Sequence, residues 1–144
     1  MLVSHILKSK SDDGVVTVTP GATVAEVAEL LSTRRIGAVV VSHDGRVVLG
    51  IVSERDVVRE LGRRGPACLT DRVESLMTAK VTTCARTDTA NDVLMRMTEG
   101  RFRHLPVLEN GQMIGLISIG DVVKARLSEL AMEHDALEGM IKGF

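Results

Sequence analysis

Apolar residues recur at helical spacing at Val24, Val27, Ala28 and Leu31, and again at Ala90, Val93, Leu94 and Met97. Each set falls on one face of a helix. A short β-rich piece precedes each helix, at 15–18 and 81–84, and two apolar runs follow it. The runs are 36–41 then 47–52 around Asp44-Gly45, and 105–108 then 113–117 around Asn110-Gly111. Paired apolar runs about such a dipeptide predict a hairpin. Each second run gives way to Ser-x-x-Asp and a further helical pattern, Val57, Val58, Leu61 or Val122, Val123, Leu127. The order in both halves is β-α-β-β-α.

The halves are copies. Residues 50–58 lie 65 positions before residues 115–123, and five of those nine positions are identical. Neither copy is large enough to bury both its sheet and its helices alone, so the expected fold is α+β. In it the two repeats pack sheet to sheet as a pseudo-twofold pair. The boundaries read as repeat 1 at 1–62, a linker at 63–72 containing Gly65-Pro66, repeat 2 at 73–127, and a helical extension at 128–144. In that extension Leu127, Leu130, His134, Leu137 and Ile141 form a heptad-like stripe. It fits either a tail helix docked on its own domain or a contact between subunits.

Composition narrows the function. Of 144 residues, 44% are apolar and 26% charged, a globular balance. With 18 Lys+Arg against 19 Asp+Glu the net charge is −1, so no overall field draws the chain to nucleic acid or anionic lipid. Two Phe and no Trp or Tyr leave no stacking platform for bases. The apolar runs are too short for a bilayer, the first residues lack a signal-peptide core, and two Cys suit a reducing compartment. The expected location is cytoplasmic, with neither nucleic acid nor membrane as a partner.

No GxSxG, HExxH, GxxxxGK[ST] or GxGxxG pattern is present, and the expectation is a protein that is not an enzyme. The informative elements are Ser53-x-x-Asp56 and Ser118-x-x-Asp121. One reading is a helix capping box, the spacing also shown by Thr23-x-x-Glu26 and Thr89-x-x-Asp92. The other is a ligand site, because strand end and helix N-terminus meet there almost without a loop. A carboxylate in that place accepts both hydroxyls of a sugar diol. Positive charge stands at Arg101-Phe102-Arg103-His104, where the first copy has Arg35-Ile36-Gly37-Ala38, so two clefts would differ. Pro106, lacking an amide hydrogen, is expected at a sheet edge or beside a cleft. Cys84 reads as core and Cys68 as an exposed linker residue. His5 and His43 read as surface residues, and His134 and Met97 as packing residues.

These residues together, with Arg103-His104-Leu105-Pro106-Val107 in the second copy, closely resemble a tandem CBS-domain pair over residues 1–127. The resemblance implies a regulatory module that binds adenine nucleotides (AMP, ADP, ATP, NAD or S-adenosylmethionine) between the repeats, requires no cofactor for chemistry, and signals to an unidentified partner protein. Carried over by position, one cleft uses Ser53 and Asp56 for the ribose, Val16 and Thr17 near the base, and Arg103 and His104 for phosphate. The other uses Ser118 and Asp121 with Thr82 and Thr83, and only Arg35 for phosphate. The family habit also implies a homodimer. The competing reading is a dimerisation or protein-interaction module with degenerate clefts.

Overall fold

A computed structural model describes residues 1–10 and 14–141. Repeat 1 contains β1 (Thr17–Val18), α2 (Val24–Arg34), β2 (Ala38–Val41), β3 (Gly50–Ser53) and α3 (Glu54–Arg64), preceded in the chain by α1 (Val3–Ser9). Repeat 2 contains β4 (Cys84–Ala85), α4 (Ala90–Gly100), β5 (His104–Glu109), β6 (Gln112–Ser118) and α5 (Ile119–Ile141). Between them run two 3₁₀ turns, Gly65–Thr70 and Val73–Ser75. The sheets run β1-β2-β3 and β4-β5-β6, each with a parallel first pair and an antiparallel second pair. Two three-stranded sheets with helices make the α+β pair that the repeat predicts.

All four residues of β2 are buried. Val39 and Val41 pack with Val24, Val27 and Leu31 of α2 and Val57 of α3. Ala38 and Val40, on the opposite face, are buried as well, which requires cover from the other repeat. In repeat 2, Leu105 and Val107 likewise pack against Val93 and Met97 of α4 and Val122 of α5. The repeats also touch through the Met113 amide, which donates to the Arg46 carbonyl at 2.7 Å. Two short strands differ from the sequence reading: β1 holds only 17–18, and β4 sits at 84–85, leaving Val81, Thr82 and Thr83 in irregular backbone.

The flanks of the two repeats are exchanged. Helix α1 packs Val3 and Ile6 into the core of repeat 2, and the Val3 and Ser4 amides donate to the Asp88 and Arg86 carbonyls. Val73, Leu76 and Met77 join the core of repeat 1, and the Val73 amide donates to the Ala22 carbonyl at 2.7 Å. Gly50 and Gly115 begin equivalent stretches, and any side chain there would collide with Met77 and Leu7 of the exchanged flanks. Residues 1–9 therefore belong structurally to repeat 2, whereas chain order assigns them to repeat 1. Cys68, expected at the surface, is fully buried in the linker turn.

Pro106 is not at an edge: it lies in β5, the middle strand, opposite Leu116, and is buried. It is tolerated because β4 pairs only with Val107 and Leu108. At the matching place in repeat 1, the Val40 amide donates to the Val16 carbonyl at 3.2 Å. Pro106 has no such hydrogen to give to Thr82.

Helix α5 does not dock along its length. Val122 and Ala125 are its buried residues, and from Leu130 to Ile141 every residue but Gly139 is exposed. Of the two readings of this segment, a tail helix packed on its own domain does not describe that exposed stretch; Glu129, just before it, holds the N-terminal ammonium at 2.6 Å. His134 is not a packing residue either: it stands exposed, with Nε2 3.0 Å from Glu138.

Candidate functional site

Four helices begin with the same device. The hydroxyls of Thr23, Ser53, Thr89 and Ser118 accept from the amides of Glu26, Asp56, Asp92 and Asp121, and those carboxylates accept from the amide of the capping residue. Both Ser-x-x-Asp motifs are thus capping boxes. They differ from the threonine boxes in where they stand, each at the end of a strand that opens on an inter-repeat cleft.

The smaller cleft, about 300 Å³, gathers Ser53, Glu54, Arg55, Asp56 and Arg59 from the start of α3. Facing them are Thr78, Lys80, Val81 and Thr82 from the linker side, and Gly100, Arg101, Phe102, Arg103 and His104 from the turn after α4. Asp56 Oδ2 accepts from the Ser53 amide at 2.8 Å and its hydroxyl at 3.1 Å, while Oδ1 holds Arg59 at 2.6 Å. The Arg59 side chain is 67% exposed, so a diol reaching Oδ1 has only a solvated guanidinium to displace.

The larger cleft, about 710 Å³, is lined by Val15, Val16, Arg35, Ile36, Gly37 and Ala38 of repeat 1 and by His104, Ile114, Gly115, Leu116 and Ser118 of repeat 2. Leu7, Lys8 and Lys10 of α1 and its end close one side, with Gly14 beside them. Among the described residues its charged lining is Lys8, Lys10 and Arg35. Asp121 is turned away, lining a separate 360 Å³ cavity, and its Oδ2 is paired with Lys10 Nζ at 2.8 Å. Burial pushes the Asp121 carboxyl up, but Lys10 and the Ser118 amide hold it below its ordinary value.

These positions exchange the base-side partners inferred from chain order. Val16 lies with Ser118 in the larger cleft, and Thr82 lies with Ser53 and Asp56 in the smaller one. The cause is the pairing of the two repeats across the pseudo-twofold, which sets each first strand beside the other repeat's motif. Thr17 and Thr83 line neither cleft. Thr17 is in β1, and the Thr83 carbonyl accepts from Arg96, which also donates to Asp88 at 2.7 Å. Ser53, Asp56, Arg103 and His104 meet in one cleft, as chain order proposes. Lys8, Lys10 and Lys80 escaped that reading, and Arg101 was named in the positive stretch but given no cleft.

His104 opens β5 opposite Ser118 and lines both clefts. Burial holds its imidazole below the ordinary value, against the pull of Glu54 and Asp121. Among the described residues no cluster of His, Cys, Asp or Glu could hold a metal ion, and no helix is long and apolar enough to cross a membrane.

Comparison with known proteins agrees with this architecture. The family model described as CBS domain matches residues 3–63 and 73–128. The CBS-domain containing protein ATU1752 from Agrobacterium tumefaciens superposes with a TM-score of 0.83 at 47% identity, covering 88% of this chain and 99% of that one. The CBS domain protein PAE2072 from Pyrobaculum aerophilum, solved in complex with AMP, gives 0.76 at 27% identity, covering 92% and 99%. The mitochondrial CBS domain-containing protein CBSX3 of Arabidopsis thaliana is 32% identical over 98% of this chain and 72% of its own length. Two matched stretches on two repeats, each closing a cleft with the other, make this chain a member of the CBS-domain family with its domains in a tandem pair.

Proposed function

We propose that this chain is a non-catalytic regulatory module that binds an adenine nucleotide (AMP, ADP, ATP or NAD) between its repeats and passes the occupancy to a partner protein. The observation that carries the reading is the smaller cleft, where a carboxylate at a helix N-terminus faces a cluster of cations. Asp56 would take the ribose hydroxyls in place of Arg59, with Ser53 beside it. Thr82, whose carbonyl receives no amide hydrogen from Pro106, offers the base an acceptor. Arg101, Arg103 and His104 would meet the phosphate. A relative at 27% identity was solved with AMP, which supports the class of ligand. Ser118, Val16 and Arg35 would serve a second ligand in the larger cleft, joined by Lys8 and Lys10. Two buried free thiols suit a reducing cytoplasm.

A thermal melt against AMP, ADP, ATP, NAD, S-adenosylmethionine and a guanine nucleotide tests this. At about 100 times Kd a native-state ligand adds about 2.7 kcal/mol, a rise of roughly 5–11 °C for a chain of this size. Adenine-selective stabilisation that disappears in Asp56→Ala is the expected result, and its absence in folded protein overturns the reading.

A second reading rests on the exposed stripe of Leu127, Leu130, Leu137 and Ile141 on α5, which are 62%, 49%, 56% and 77% exposed. A homodimer or partner contact would cover it. A chain that serves only as an interaction module would show no nucleotide shift, and its self-association would be lost when Leu130 and Leu137 are both changed to Lys.

A further inference from the structure

The two clefts share one wall. His104, Gly37 and Ala38 line both, and the imidazole lies against Gly37 so closely that a Cβ there would stand 3.0 Å from Cε1 and 3.2 Å from Nε2. Among the described residues the ring is the one ionisable side chain common to the two linings. Around it stand Glu54 at the start of α3, Asp121 on α5 with its partner Lys10, and Arg103 beside it in the chain. Lys8 and Arg35 also line the larger cleft, and Arg55, Asp56, Arg59, Lys80 and Arg101 the smaller.

Resting on the reading that both clefts take anionic nucleotides, we propose that His104 is a ligand-binding group of both clefts and that a single proton on its imidazole couples them. A neutral imidazole has one N–H to donate, and the imidazolium has two. One neutral ring therefore serves an anion in one cleft only. Serving both requires the second proton, which an anion in either cleft draws onto the ring. The burial of His104 keeps it neutral at pH 7.5 before ligand arrives, so the proton is taken from solvent on binding. Because there is one such proton, whatever part of it the first nucleotide draws, the second draws only the remainder.

Calorimetric titration of the full chain with AMP at pH 7.5, in two buffers of different protonation enthalpy, reads this directly. The expected result is two sites per chain, with imidazole-dependent proton uptake that totals no more than one per chain over the two binding events. In His104→Gln, which keeps an N–H but cannot be protonated, that uptake vanishes. Affinity at pH 7.5 falls about tenfold for each unit by which ligand carries the imidazole above that pH. The phosphate of AMP contributes the same background in both proteins. Gly37→Ala keeps the titratable imidazole but shifts it by a few tenths of an ångström, and should reduce the uptake in a fold otherwise intact.

AMP binding at two sites with equal proton exchange in wild type and His104→Gln overturns the shared proton and leaves the nucleotide reading standing. So does His104-dependent uptake of more than one proton per chain, or binding at one site alone. No AMP binding at either cleft removes both.

Discussion

Arg35 and Arg101 hold matching backbone positions, each capping the first long helix of its repeat in the left-handed region at φ 53° and φ 58°. Glycine is the usual occupant of such a cap, since a Cβ costs roughly 1–2 kcal/mol in that conformation. Each arginine lines a cleft, Arg35 the larger and Arg101 the smaller. Arg101→Gly is expected to raise stability by about 1 kcal/mol while weakening AMP binding. Arg101→Lys would keep the strain and much of the affinity. Urea midpoints and AMP titrations of both variants check this, and a lower midpoint for Arg101→Gly would refute it.

Lys10 and Asp121 predict an acid-sensitive contact. Asp121 has a depressed pKa when folded, so its contribution to stability is full above its ordinary value of 3.8 and is lost as pH falls through the lower folded value. Lys10→Met should cost about 0.5–1 kcal/mol at pH 7, the range for a partly exposed pair, and progressively less towards pH 3. A cost that stays the same at both pH values would mean that Lys10 acts through packing or its 2.7 Å bond to the Leu116 carbonyl instead.

Ile6 is 2% exposed within the core of repeat 2, although it lies far from that repeat in the chain. Ile6→Ala should destabilise by about 2–5 kcal/mol. Hydrogen exchange should show the loss first in β5, β6 and α4 and not in β2. Weakening centred on repeat 1 would contradict the exchanged flanks.

Burial pushes the Cys84 thiol up to about 11, with Asp88 adding to the rise. At pH 8 only about a thousandth of it is thiolate. Alkylation of native protein should therefore be slow at Cys84 and accelerate sharply above the unfolding midpoint in urea. Rapid labelling of Cys84 in folded protein would count against its place in the core.

The repeat, the order β-α-β-β-α and the four helix starts are legible in the chain because each is a local pattern: periodicity, a turn dipeptide, a cap three residues from its acid. Ser53, Asp56, Arg103 and His104 were legible together for a related reason, since two local motifs at equivalent places must meet across a twofold. Val16 and Thr82 were assigned to the opposite clefts because no local signal says which repeat supplies a cleft's first strand. Helix α1 was missed: seven residues, Val3–Ser9, are too few for a periodic signal, and its two buried residues answer to a core many positions away. With it went Lys8 and Lys10, which join Arg35 in the larger cleft.

The crossing of the flanks sets a limit on how small this architecture can be made. Cutting the chain in the linker would leave one fragment without the Val73–Met77 plug and the other without the Val3–Ile6 plug. Each fragment would expose a socket shaped for a piece carried by its twin. Half-molecules could complete themselves only by trading arms, so they should be insoluble alone and recover structure when mixed. The smallest autonomous folding unit is the duplicated one, because each half acts as the other's missing part.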